Sequence, residues 1–312
     1  MIAGHRGRAG TVVVLTAVLG AAAVACSGGA TTPSSTLGPV PDGVAARLGV
    51  EVTQGREQYA DREVQLRVTN ESDETLTLLG GSLHSDGFGP SRPTKEGRTV
   101  TLRPGATRGV FVELGEARCS GPEQGAAETA AASATIALAR GGGDDLGPAT
   151  DLAVGQVADP DGHLARNHTT DCAAAAVAAG ATLSVDPDVP VEKRGGELSA
   201  LVTLRVEAVD GGPEVTLDRI AGTTLMSNPD PADGVSGWVG QDLADRWPGV
   251  VELVVVPARC DVHAVAEDKR GTFLPVTATV DGDVQEPVYV PMPDTARADF
   301  YAYVADYCDW PD

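Results

Sequence analysis

The chain has 312 residues, enough for about two ordinary domains of ~100–200 residues once an export segment is removed. Its composition is 42% hydrophobic and 21% charged, which is typical of a globular protein and not of a disordered one. A formal net charge of -21 and an aromatic content of 4% argue against nucleic acid as a partner. The polyanion would be repelled, and its bases would meet few aromatic rings on which to stack.

Residues 1–25 have the order of a signal peptide. A basic start with Arg6 and Arg8 precedes an uncharged stretch that ends at Ala-Val-Ala-Cys, with the cysteine at position 26. The stretch is shorter than the ~20 residues of a membrane-spanning helix, which favours a cleaved segment. Its end resembles the lipobox of bacterial lipoproteins, in which small residues precede a cysteine that receives a diacylglyceryl group. Ala23 stands where leucine is commoner, and Ala-Val-Ala also matches an ordinary A-x-A cleavage site.

The cysteine count favours lipidation of Cys26. The chain contains 5 cysteines, and in an oxidising compartment an odd one needs an explanation. Lipidation of Cys26 leaves four that can pair. We therefore expect a protein anchored by lipid to the extracytoplasmic face of the cell membrane, with residues 26–44 as a lipidated cysteine and a flexible tether rich in Ser, Thr, Gly and Pro.

An internal repeat organises the remainder of the chain. Three landmarks recur in order at a spacing of about 140 residues, namely Val64–Val68 with Val202–Val206, Ala117–Cys119 with Ala258–Cys260, and Cys172 with Cys308. The spacing predicts two domains, residues 45–175 and residues 176–312. It also predicts one disulfide in each repeat, from Cys119 to Cys172 and from Cys260 to Cys308, although four cysteines formally allow three connectivities.

Most of each repeat has the period-two apolar pattern of half-buried strands. Leu48, Val50 and Val52 alternate with polar residues or glycine, and the segments from Val64 and Val202 do the same. Turn residues separate the strands at Asn70–Asp73, Asp210–Pro213 and Asp281–Gly282. About seven strands in each repeat predict two tandem immunoglobulin-like antiparallel β-sandwich domains.

A helical pattern follows the strands of each repeat. Near the end of the chain, Phe300, Tyr301, Val304, Tyr307 and Cys308 form the stripe of an amphipathic helix, and Asp294 is a candidate N-cap. In the first repeat the stripe returns at Leu164, His168 and Cys172. We expect each domain to end in a short helix held by its disulfide, and the alanine run of residues 172–178 to mark the domain boundary.

The densest polar run is Arg259–Thr272, with the sequence RCDVHAVAEDKRGT. It resembles a motif of uncharacterised actinobacterial secreted proteins, a resemblance that covers this segment only and implies no known activity. As a strand it would place Asp261, His263 and Glu267 on one face, which makes them candidate metal ligands. However, Asp261 and Glu267 would lie roughly 20 Å apart in an extended chain, too far for one ion. We therefore favour a solvated strand and turn.

The sequence lacks the usual motifs of catalysis. It contains no G-x-S-x-G, no H-E-x-x-H and no C-x-x-C motif. We expect a non-enzymatic envelope lipoprotein without a cofactor, which binds or supports an envelope protein or a small molecule. Two alternatives remain open, an extracellular metal-assisted hydrolase centred on His263 and a ligand-binding accessory protein of a transporter.

Overall fold

The computed structural model describes residues 37–94, 97–119, 132–230, 237–239, 249–266 and 270–310. The expected signal peptide, Cys26, residues 26–36 of the expected tether, and Glu267 lie outside these ranges. The expectation of a flexible tether is wrong for residues 37–44, because Val40 and Val44 are buried in the first core and α1 begins at Asp42. Ser35–Asp312 cluster into one compact unit. Within the described ranges, no helix is both long and apolar enough to cross a membrane.

The protein is mainly β, as the period-two pattern predicts. The helices among the described residues are α1 (Asp42–Ala45), a 3-10 helix (Arg56–Gln58), α2 (His163–Gly180), α3 (Val262–Ala266) and α4 (Asp294–Tyr307).

In the described part of the chain, nine strands precede α2 and form two antiparallel sheets. Their bounds are β1 (Leu48–Thr53), β2 (Glu63–Asn70), β3 (Leu76–His84), β4 (Arg92–Pro93), β5 (Val100–Leu102), β6 (Thr107–Glu113), β7 (Ser133–Gly142), β8 (Asp145–Leu146) and β9 (Thr150–Val154). One sheet has the order β1-β2-β6-β4, and the other has the order β5-β3-β7-β8 with β9 also paired to β7.

The strands that follow α2 repeat this arrangement. Their bounds are β10 (Ala181–Val185), β11 (Val191–Arg194), β12 (Glu197–Ala208), β13 (Val215–Ile220), β14 (Met226–Ser227), β15 (Trp238–Val239), β16 (Gly249–Pro257), β17 (Phe273–Val280), β18 (Asp283–Val284) and β19 (Val288–Pro291). The sheet orders are β10-β12-β16-β14, with β11 on β12, and β15-β13-β17-β18, with β19 on β17. The second half therefore has the strand order of the first.

Each half has its own hydrophobic core. In the first half, Leu66 of β2 and Ile136 of β7 belong to one buried cluster, so both sheets contribute to it. In the second half, Leu204 of β12 and Leu217 of β13 belong to another. The alternating burial along β2 and β12 confirms the predicted strand pattern, because every second side chain points to the core.

The predicted turns are present where the strands end. Asn70 accepts a hydrogen bond from the backbone N–H of Ser72 (3.0 Å) and donates one to the carbonyl of Glu74 (2.8 Å), which closes the turn between β2 and β3. Asp281 and Gly282 join β17 to β18 with φ angles of 48° and 92°. Positive φ at both positions is what a type I′ hairpin requires, and glycine adopts it without strain.

Helix α2 is longer than the short helix expected after the first repeat. It continues through the alanine run to Gly180, because alanine has the highest helix propensity. Strand β10 follows it directly. The boundary expected at residues 175–176 therefore falls inside a continuous helix. Leu164 packs in the first core, whereas Val177 packs in the second. One helix thus contributes to both halves.

Helix α4 closes the second core with Phe300, Tyr303 and Val304. The Tyr303 hydroxyl lies within hydrogen-bond distance of the carbonyl oxygens of Leu198 (3.2 Å) and Val255 (3.1 Å). The expectation that Asp294 is the N-cap is wrong by one residue. Pro293 occupies the cap, and Asp294, in the first turn, accepts a hydrogen bond from Arg297 (2.7 Å).

Two disulfides close within the halves with the pairing expected from the spacing. Cys119 is joined to Cys172 of α2, and Cys260 is joined to Cys308 directly after α4. In the first half the bridge joins α2 to the segment after β6. In the second half it joins the end of α4 to the segment after β16. The two bridges occupy matching places in the two halves.

Candidate functional site

A cleft of about 1080 Å³ opens between the two halves and is lined by residues from both. We call it the arginine cleft, because its lining includes five arginines, Arg56, Arg62, Arg166, Arg259 and Arg270. The volume slightly exceeds the ~300–1,000 Å³ of usual small-molecule sites.

Loops and helix starts position these arginines. From the first half, Arg56 opens the 3-10 helix after β1, and Arg166 lies near the start of α2. From the second half, Arg259 follows β16 beside the disulfide of Cys260, and Arg270 precedes β17. Such connections carry binding residues more often than the strands that support them.

Arg62 contacts several segments of the first half. Its Nε lies 2.9 Å from both carboxylate oxygens of Asp171, and its guanidinium also donates to the carbonyls of Leu114 (3.3 Å) and Gly115 (2.9 Å). The φ angle of Arg62 is 53°, a left-handed conformation that an arginine rarely adopts. Asp171 offsets the charge of Arg62, so this arginine joins α2 to the segment that follows β6 and contributes little charge to the cleft.

Arg270 is held by neutral groups. Its guanidinium carbon lies 5.3 Å from the ring centre of Tyr59 and 4.5 Å from that of Tyr289, distances typical of cation–π contacts. Nη2 donates to the carbonyl of Tyr59 at 2.7 Å, which links the two halves. The buried Nε has no hydrogen-bond partner in the described part of the chain. Arg270 is thus fixed in position while its charge stays without an ion pair there.

Arg166 is held in the same manner. Nη2 donates to the carbonyl of Asp161 at 2.9 Å, and Nη1 lies 3.3 Å from Nδ1 of His163. Neither contact is with a carboxylate, and the side chain is exposed. Among described residues no ion pair offsets the charge of Arg166.

The two remaining arginines, Arg56 and Arg259, are exposed. Counting only partners within the described ranges, neither forms an ion pair or a side-chain hydrogen bond. The carboxylates of the lining are Asp171, which pairs with Arg62, and Glu286, which is exposed. Five arginines and two carboxylates give the lining a formal charge of +3, in a chain whose net charge is -21. A concave wall lined by positive charges concentrates the electrostatic field, so the cleft attracts anions.

The predicted candidate ligands do not meet at one point. The strand expected from residue 261 onward is wrong, because Val262–Ala266 form the short helix α3. The Asp261 carboxylate accepts a hydrogen bond from the backbone N–H of His263 (3.0 Å), an interaction that favours a helix start. Asp261 and His263 are both exposed, and Glu267 lies outside the described residues. In those residues, no group of three or more metal-ligating side chains is suited to hold an ion.

Sequence reasoning missed the cleft, although Arg259 and Arg270 belong to the polar run that it singled out. The other arginines are scattered over the first half, and each alone resembles an ordinary surface charge. The sequence feature that could have indicated the cleft is a set of arginines beside turn residues in a strongly acidic chain. No protein-family model matches the chain, and no curated protein matches it in sequence.

Proposed function

We propose that the protein is a lipid-anchored extracytoplasmic binding protein, without catalytic activity, that captures an anionic ligand in the arginine cleft. The anchor is Cys26, and the other four cysteines form two disulfides, which suits an oxidising compartment. Of the five cysteines, Cys26 is thus the one left for lipidation.

We further propose that the two halves are tandem immunoglobulin-like sandwiches. Support comes from the two separate cores, each built from two antiparallel sheets, and from the matching strand orders. The matching places of the two disulfides add to it. In this arrangement the ligand site lies where the two repeats meet, a common place for binding clefts.

The observation that carries the proposal is the inversion of charge at the cleft, from a net -21 for the chain to +3 for the lining. Guanidinium groups and the hydroxyl of Thr224 line the wall, and such groups hold an anion by hydrogen bonds. A small anionic molecule fits this site better than a flat protein surface does. A hydrolase centred on His263 has no comparable support, because the described side chains there are exposed and bonded only locally.

Isothermal titration of the purified protein with inorganic pyrophosphate tests the proposal. We expect binding that weakens by about fivefold, or ~1 kcal/mol, for each of Arg56→Gln and Arg259→Gln. Neither side chain has a partner among described residues, so both variants should keep the wild-type melting temperature. Arg103→Gln removes the same charge at an exposed position outside the cleft and serves as the matched control.

Glu286→Gln provides a test of opposite sign. It removes the exposed carboxylate of the lining, so binding of pyrophosphate should become tighter. Equal affinities in the wild type, both cleft variants and the Arg103 control would refute an anion site at this place.

A further inference from the structure

We infer that the ligand of the arginine cleft carries at least two separated acid groups and bridges the two halves of the protein, an inference that rests on the proposed function. The first half supplies Arg56 and Arg166, and the second supplies Arg259 and Arg270. Each half therefore has two guanidinium groups whose charges no ion pair offsets within the described ranges.

The two sets match in construction as well as in number. In each half one arginine is braced by groups other than carboxylates. Arg166 contacts a carbonyl and a histidine ring, and Arg270 contacts a carbonyl and two tyrosine rings. Each half also contributes to the lining one exposed arginine, Arg56 or Arg259, that has no side-chain partner among the described residues. A braced guanidinium loses little freedom on binding, whereas an exposed one can adjust to the ligand.

The size of the cleft favours a ligand that reaches both sets. At about 1080 Å³ it is much larger than a single phosphate or carboxylate group. A monovalent anion offsets one of these four charges and leaves at least one half without an acid group to bind. An anion with two separated groups engages both, and the second contact forms within the same complex at a high effective concentration. The guanidinium fork binds carboxylate and phosphate equally well, so the shared chemistry is that of a multivalent oxyanion.

Titrations with paired anions test the inference. Phosphate is compared with tripolyphosphate, and acetate with glutarate, by calorimetry at constant ionic strength. In at least one pair the multivalent member should bind the wild type at least about tenfold more tightly than the single group does. The pair that shows this preference identifies the acid as phosphate or carboxylate.

Variants on the two sides of the cleft separate bridging from general attraction. Arg56→Gln and Arg259→Gln should each lower the preference for the multivalent anion severalfold, whereas Arg103→Gln should retain it. Equal affinity for single and multivalent anions, or a preference that depends on one half only, would overturn the bridging ligand and leave the anion site intact. Failure of every anion to bind would overturn the proposed function as well.

Discussion

Removing the second disulfide, by Cys260→Ser together with Cys308→Ser, should destabilise the second half by about 4 kcal/mol. The bridge closes a loop with a sequence separation of 48 residues. In the chain-entropy model such a loop restricts the unfolded chain enough to give this value at 25 °C. The loss is a large part of the ~5–15 kcal/mol that stabilises an ordinary domain.

Tryptophan fluorescence reports this change selectively. The 3 tryptophans of the chain, Trp238, Trp247 and Trp310, are all in the second half. Trp310 packs against the second core, and its indole N–H donates to the carbonyl of Cys260 at 3.2 Å. Urea unfolding followed by fluorescence should therefore give a lower midpoint for the double variant, with an unchanged or larger slope.

Reduced wild type is the control, because dithiothreitol breaks the same bridge without a substitution. It should unfold at the midpoint of the double variant or below it, because reduction also opens the bridge between Cys119 and Cys172. A fluorescence midpoint that stays at the oxidised wild-type value in both samples would refute the view that this bridge stabilises the second half.

Three further predictions follow from single positions. Cys26→Ser should release the protein from the membrane, and detergent partitioning with intact mass would detect an unmodified wild-type chain if the lipid assignment is wrong. His263→Ala should change stability by no more than about 0.5 kcal/mol, because the side chain is exposed; a melting temperature raised by zinc in the wild type only would contradict this. Burial and the nearby Tyr307 raise the pKa of Tyr303. The protonated side chain therefore makes its full contribution to the free energy of unfolding below about pH 10, and this contribution is lost as pH rises further. Tyr303→Phe should therefore flatten the alkaline loss of stability seen in urea unfolding, and an unchanged pH dependence would exclude this cause.

The β-rich class, the turns and the cysteine pairs could be predicted from the sequence because each depends on local chemistry. The alternation along Val64–Val68 decides which side chains reach a core, whichever strands lie beside it. Asp281 and Gly282 specify a tight hairpin through their own backbone preferences. The order of the cysteines in two similar segments was enough to pair them.

Two of the wrong expectations concern segments in which local signals competed. The Asp261 carboxylate bonds to the backbone of His263 and starts a helix, where the alternating pattern indicated a strand. Pro293, whose ring fixes φ, takes the cap position that the carboxylate of Asp294 was expected to hold.

The arginine cleft lay beyond sequence reasoning because it depends on contacts between distant parts of the chain. Arg270 and Tyr59 are 211 residues apart, and their contact forms only when the two halves meet. The length of α2 matters here too, since one helix packs in both cores. No local pattern specifies how two similar halves join.

The most direct test of an anion-binding cleft is side-chain NMR of arginine-labelled protein titrated with tripolyphosphate. The Nε–H resonances of Arg166 and Arg270 report the braced sites, and their assignment follows from single substitutions. We expect these resonances to shift in a saturable way, while that of Arg103, outside the cleft, stays unchanged. Small shifts of equal size at all three arginines, without saturation, would contradict a specific site. They would mean that the arginine cleft attracts anions only nonspecifically, as any positively charged surface does.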